Sequence, residues 1–346
     1  MDSASAVEII GGGPAGCAAA LSARHQGAPV RLYETSAFPR HKVCGEFLSP
    51  EVPEILGELG VLRDFEAQKP ARLAKVALHF GARTKSWTLR EPAWGLSRYA
   101  LDELLLRRAL AEGAALVREP WIKSPRRDDH KPGIRRILGH GRKSAAPAGA
   151  RLFGFKAHFA GPVDDVVHLF FFSGCYVGVS AVENGITNVC GVVPEPLLRQ
   201  KMLREKMLRQ KNFEIESLLE ADPALRERVL PLARTMKWLI TGPLVFGMNP
   251  DPEEQVYRAG DALGFVDPFT GSGISAALVT GKMAGEAAAR STEVSRYVRR
   301  VRAALKRQYF FSSALRMAIR ARIAEKCAGF IPGRLLFELT RPANSL

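Results

Sequence analysis

The apolar and polar positions of this chain fall into two kinds of pattern. Val7-Glu8-Ile9-Ile10 is a short, β-branched apolar run, which predicts a buried first strand. Gly11-Gly12-Gly13-Pro14-Ala15-Gly16 follows at once, and residues 17–23 are small and apolar, a good helix start. A second strand at 29–33 ends at Glu34. Far along the chain, Val256-Tyr257-Arg258-Ala259 predicts another strand running into Gly260-Asp261, and a helix rich in Ala and Gly is predicted from Gly273 through about Ala289. The middle is different. Phe153, Phe155, Ala157 and Phe159 alternate with Gly154, Lys156 and His158, the period of two that marks a strand. Residues 166–172 form a continuous apolar strand, 175–182 another, and Asn184-Gly185 predicts a hairpin turn into 186–193. Residues 200–239 read as helical and charged. They include a near-duplicate, Lys201-Met202-Leu203-Arg204-Glu205 and Lys206-Met207-Leu208-Arg209-Gln210, too little for a repeat architecture.

The first turn carries a chemistry. Gly11, Gly13 and Gly16 fit G-x-G-x-x-G, with Pro14 and Ala15 inside the same binding segment. Gly11 permits the tight turn, Gly13 lets a pyrophosphate approach the backbone, and Gly16 lets the helix pack close to the strand. The helix start adds free amides and roughly half a positive charge, which favour a diphosphate. Glu34 stands about 20 residues beyond the turn, where an acidic side chain binds ribose hydroxyls, and it disfavours a 2′-phosphate.

Composition narrows the setting. A chain of 346 residues can bury a large core. Its formal charge of +15 invites nucleic acid or an anionic membrane as partner, but no nucleic-acid motif accompanies it. The C-terminal region interleaves Arg296, Arg299, Arg300, Arg302, Lys306, Arg307, Arg316, Arg320 and Arg322 with Tyr309, Phe310, Phe311, Leu315 and Ile319. Two readings stay open for it: a solvated face on a packed helical bundle, and a surface resting on an anionic membrane that delivers a lipophilic substrate. No run of 18 apolar residues is present, and residues 1–6 lack a basic leader. The five cysteines form no C-x-x-C pair and no metal-ligating spacing with histidine, so no metal is expected and a reduced, cytoplasmic setting is. Its peripheral contact, if any, would be with the inner face of a membrane.

The first turn, together with Gly260-Asp261 and Asp267-Pro268-Phe269-Thr270-Gly271-Ser272-Gly273, resembles the FAD-dependent family of geranylgeranyl reductases, p-hydroxybenzoate-hydroxylase-type monooxygenases and flavin-dependent halogenases. That resemblance implies that Asp261, after Gly260, bonds the ribityl chain, that Pro268 lies near the flavin ring, and that the amides of Gly271, Ser272 and Gly273 face its N1/C2=O edge. A helix N-terminus suits the negative charge of reduced flavin there. Phe38-Pro39-Arg40-His41-Lys42-Val43-Cys44-Gly45-Glu46-Phe47-Leu48-Ser49-Pro50 is similar to the loop that passes the flavin in the reductase branch, placing Arg40, Lys42, Cys44 and Gly45 at the cofactor. Cys44 is a packing residue or, as the one catalytic candidate, a redox group. Arg98, at a helix start, matches the family's FAD-contacting arginine, with Asp102 and Glu103 favouring the first helical turn.

The implied fold is α/β: a Rossmann-like FAD-binding domain (1–70, 96–150 and 240–290), an inserted antiparallel substrate sheet (71–95 and 151–239), and C-terminal helices (291–346). One segment departs from the family. Residues 117–149 are short and basic and read as a solvated or mobile loop that has lost strands. Its nearest counterpart to the family's Asp-Gly pair is Gly139-His140-Gly141-Arg142-Lys143-Ser144, where His140 reads as a solvent-exposed loop residue. The halogenase signature W-x-W-x-I-P is absent, as is the P-x-x-Y-x-W-x-F-P of archetypal geranylgeranyl reductases. The implied activity is reduction of a mostly apolar substrate with electrons from a transient NAD(P)H. Hydroxylation of an aromatic or polyketide-like substrate, and FAD binding with little catalysis, are the alternatives.

Overall fold

The computed structural model describes residues 6–121, 134–142, 151–195, 197, 215–248, 256–265 and 270–320, the last seven of these as backbone alone. Pro268 and the near-duplicate at 201–210 lie outside the described residues, as do Arg322 and the rest of 321–346. In chain order the strands are β1 (Ala6–Ile10), β2 (Val30–Tyr33), β3 (Phe47–Leu48), β4 (Ala71–Phe80), β5 (Arg83–Gly95), β6 (Ala115–Val117), β7 (Ile134–Leu138), β8 (Leu152–Ala160), β9 (Val166–Phe172), β10 (Cys175–Ala181), β11 (Ile186–Pro194), β12 (Ala233–Arg234), β13 (Leu239–Thr241), β14 (Gly247–Met248), β15 (Tyr257–Arg258) and β16 (Gly264–Phe265). The helices are α1 (Pro14–His25), α2 (Val52–Glu58), α3 (Leu62–Ala67), α4 (Arg98–Ala111), α5 (Glu216–Leu219), α6 (Pro223–Val229), α7 (Gly273–Ala289) and α8 (Val294–Arg320).

The first sheet is wholly parallel, in the order β15-β7-β1-β2-β6. Parallel strands are buried on both faces, which is why β1 and β2 read as short apolar runs. Helix α1 packs on this sheet and against α7, and small residues make that approach possible: a Cβ on Gly281 would stand 2.2 Å from the Ala15 carbonyl oxygen. Strand β7 corrects the expectation of a solvated loop across 117–149. Its Ile137 is fully buried, it lies between β1 and β15, and its Arg136 is paired at 3.1 Å with Glu8 of β1. Two arginines in a five-residue strand hide its apolar phase, and the carboxylate that accepts one of them comes from 128 residues away.

The second sheet has nine strands, with β12-β8-β11-β10-β9-β4-β5-β3 as its path and β13 also paired to β8. The predicted turn at Asn184-Gly185 joins β10 to β11, with Asn184 at φ 59°. The antiparallel expectation holds for every pair but one: β4 and β9 run parallel. They come from segments separated by α4 and part of the first sheet, and such a crossover, unlike a hairpin, permits parallel pairing. The helix expected to continue to 239 is also corrected. Pro223 opens α6, where Asp222 accepts the Leu225 N–H at 2.9 Å, Pro231 follows its end, and β12 and β13 then join β8. At the C-terminal side, α8 buries Tyr297, Val301, Ala304 and Leu305 while Arg296, Arg299, Arg300, Arg302, Lys306 and Arg307 are exposed. Among the described residues, no helix is long and apolar enough to cross a membrane.

Candidate functional site

A cavity of about 630 Å³ lies between the two sheets and draws both glycine turns to one place. Gly11, Gly13, Pro14, Ala15, Glu34, Arg40, Lys42, Cys44, Gly45, Arg98, Gly260, Asp261, Gly271 and Gly273 all line it. Gly16 and Ser272 do not reach the lining. Gly16 packs behind the turn, where a Cβ would fall 1.7 Å from the Gly11 carbonyl oxygen. Ser272 is fully buried, its hydroxyl 2.8 Å from that of Thr270.

At the β1–α1 end, Glu34 accepts the Gly12 N–H at 3.0 Å, the Ser36 N–H at 2.8 Å and Arg40 Nη2 at 3.1 Å. Burial alone would raise its pKa, but those backbone donors and the Arg40 charge outweigh it and hold the carboxyl below its ordinary range. Arg40 lies over the Phe38 ring, 4.5 Å from its centroid, and keeps Nε and Nη1 without a hydrogen-bond partner among the described residues. Arg98 is bidentate on Asp102, at 2.5 and 2.7 Å. Asp102, expected to favour the first turn of the helix, lies past that turn as a fully buried counter-ion of Arg98. Ser97 caps α4 by accepting the Ala100 N–H at 3.1 Å.

At the opposite end, Gly260-Asp261 forms one 3₁₀ turn and α7 starts at Gly273, where an added Cβ would meet nothing within 4 Å. Burial raises the Asp261 carboxyl above its ordinary pKa, and the charges of Arg142 and Arg98 oppose that rise. Residues 139–142 complete this wall. The Gly139 N–H donates to the Ile10 carbonyl at 2.9 Å, and Arg142 reaches Thr241 Oγ1 at 3.1 Å across the Phe265 ring. His140 is exposed, as expected, yet it too lines the cavity.

Lys156 and His158 carry no functional reading in the sequence, and His41 and Glu46 are read there only as members of the loop that resembles the family's flavin loop. Glu46 is fully buried with φ 55°. Its Oε1 accepts the Lys156 ammonium and, at 2.6 Å, the Arg98 backbone N–H, and its Oε2 meets His158 Nε2 at 2.6 Å. Burial works to raise its pKa, but the His158 hydrogen bond and the Lys156 charge prevail and hold it below the carboxylate range. Lys156 and His158 occupy the polar phase of β8, which would ordinarily face water. Here the loop ending in β3 covers that face, so both side chains are buried. Asn188 of β11 fastens the same loop by donating to the Cys44 and Gly45 carbonyls at 3.1 and 2.9 Å. Cys44 lies on the wall as expected, and burial raises its thiol pKa, which disfavours the thiolate a redox role would use. His41, Glu46 and His158 place ligating atoms within 4.8 Å of one another, a set that sequence spacing does not reveal. Lys156 already holds the carboxylate of that set and repels a divalent cation.

No protein-family model matches the chain. Over 61 residues it is 41% identical to the menaquinone reductase of Mycobacterium tuberculosis (strain CDC 1551 / Oshkosh), a stretch that is 18% of this chain and only 15% of that relative's length. A solved flavin-dependent brominase superposes with a TM-score of 0.77 at 17% identity, covering 97% of this chain and 93% of the other. A geranylgeranyl bacteriochlorophyll reductase-like protein from Thermoplasma acidophilum superposes with a TM-score of 0.66 at 18% identity, covering 97% and 91%. At such identities the likeness is one of fold. The chain has the Rossmann-like fold of these flavin-dependent and reductase-like neighbours.

Proposed function

We propose that the protein is an FAD-dependent oxidoreductase that uses NAD(P)H-derived electrons to reduce a mostly apolar organic substrate. The observation that carries this reading is the single cavity lined by both glycine turns on one side and by the substrate sheet on the other. The residues present fit the cofactor. The α1 start offers free amides beside Gly13, and Arg40, a cation on the cavity wall with its Nη1 3.9 Å from the Asp102 carboxylate, suits a diphosphate. Glu34 is held ionised for ribose hydroxyls, and Asp261 with the start of α7 suits the ribityl and ring end. When bound, FAD would supply the hydride chemistry itself.

The chain's own contribution is position and dryness. Arg98 and Asp102 fix the start of α4 against the cavity, Glu46 ties the flavin loop to β8, and the sheet side of the lining brings Val76, Phe155, Val167 and Leu169. Those side chains favour an apolar substrate, and the menaquinone of the mycobacterial relative's name belongs to that class. The six exposed basic residues of α8 support a peripheral anionic membrane as the place where such a substrate is met.

Anaerobic turnover tests the reaction. Purified FAD-loaded protein mixed with NADH or NADPH and a polyprenyl quinone or isoprenoid alkene should oxidise the nicotinamide only when substrate is present, and should do so without oxygen. Turnover that stops without oxygen would favour hydroxylation. Retained FAD with no substrate-dependent oxidation would favour a binding role.

A further inference from the structure

Reduction of a polarised double bond needs two deliveries. One atom receives a hydride, and its neighbour receives a proton. The cavity wall offers a group for the second. His41 lines the cavity beside Arg40 and Lys42, and its Nδ1 is buried without a hydrogen-bond partner among the described residues. Its ring is held between Tyr99, with centroids 4.8 Å apart, and the edge of His158, 5.0 Å away. Behind His158 stands Glu46, which binds Lys156 with its other oxygen. An imidazole on the cavity wall, clamped on two sides and backed by a buried ion cluster, is held to exchange a proton with what the cavity contains.

We propose that His41 is the proton-transfer residue of this cavity, with Glu46, Lys156 and His158 as positioning residues that fix its orientation and set its charge. The inference rests on the reductive reading above. Bound FAD would supply a hydride, with its electron pair drawn from NAD(P)H, to one atom of the substrate double bond. The His41 N–H bond breaks, its proton goes to the adjoining substrate atom, and its electron pair stays on the ring nitrogen. The neutral imidazole regains a proton from water at the cavity mouth. One nicotinamide hydride and one solvent proton are consumed per bond reduced.

The titratable and charged groups about His41 come from three elements: Lys156 and His158 on β8, Glu46 on its own loop, and Tyr99 at the start of α4. Burial, and then the Lys156 charge and the neighbouring His158 imidazole, push the imidazole below its ordinary pKa, while Glu46 pulls it up. Removing the lysine charge is therefore expected to raise the His41 midpoint, and removing Glu46 as well to offset part of that rise.

The test follows His41 directly. Nitrogen-15 NMR of histidine-labelled protein gives its titration midpoint, with His41→Gln identifying the signal. In Lys156→Gln the midpoint is expected to rise, and the pH profile of anaerobic turnover to move upward with it. The double variant Glu46→Gln/Lys156→Gln leaves no unpaired buried ion, covers the case where the single variant fails to fold, and is expected to shift both in the same direction. His41→Gln, checked for bound FAD, should slow the re-oxidation of reduced flavin by substrate by about 100-fold or more. A His41→Gln protein within twofold of the parent overturns the inference, as does a midpoint that stays put or moves without the turnover profile following. Wild-type protein that holds no FAD or shows no substrate-dependent oxidation instead overturns the reductive reading on which the inference stands.

Discussion

A methyl group at position 16 would sit 1.7 Å from the Gly11 carbonyl oxygen, a backbone atom that has little room to give way. Gly16→Ala is expected to destabilise by about 3 kcal/mol, read as a lower urea midpoint, and to abolish cofactor uptake. Glu46 makes a different kind of demand. Its folded pKa lies below the unfolded value of about 4.3, so its stabilisation is present above that pH and is lost as pH falls through the folded pKa. Glu46→Gln leaves the fully buried Lys156 with no carboxylate on it, and a loss of about 3–5 kcal/mol at pH 7 is expected, shrinking in acid. Unfolding series at pH 7 and at a pH well below about 4.3 would read the two limbs. Asp261 runs the other way. Its pKa is raised by burial, so its ionised form opposes folding once pH exceeds the unfolded value of about 3.9. Asp261→Asn is accordingly expected to raise the Tm of the cofactor-free protein at pH 7 while weakening FAD binding. A lower Tm would show that the attraction of the Arg142 and Arg98 charges outweighs the burial cost.

Elements differ in how far their sequences announce them. The strand Ala6–Ile10, the turn after it and α7 from Gly273 to Ala289 are legible because local pattern and final environment agree. Strand β7 is not. Its buried phase is only Ile137 and Leu138, and Arg136 is made tolerable by Glu8 of a distant strand. The loop through Glu46 is legible as a cofactor loop by resemblance alone. Nothing local marks its acid as buried, because Lys156 and His158 reach it from 110 and 112 residues away and sit in what looks like the wet phase of β8. For α8, the amphipathic pattern does map onto a buried and an exposed face. Sedimentation with anionic vesicles at low salt should pull the protein down, and charge reversal of Arg299, Arg300 and Lys306 should release it. No binding at low salt would leave the basic face as solvated surface.

At the scale of the whole molecule, function is a matter of two sheets meeting. The parallel sheet brings β1, β7 and the Gly260 turn side by side, and the mixed sheet brings the Phe-rich β8 and β9, with β10 and β11 between them, over them. Each half was readable in outline, but the cavity between them belongs to neither pattern. It arises where the loop ahead of β3 passes from one sheet to the other, and there the fold places its buried ion cluster. The proposed function stands on FAD bound in this cavity. An absorption spectrum of the purified protein, before and after denaturation, decides that. Oxidised-flavin bands at about 375 and 450 nm are expected, with the chromophore released as FAD at about one per chain. A colourless protein that takes up no added FAD would contradict it.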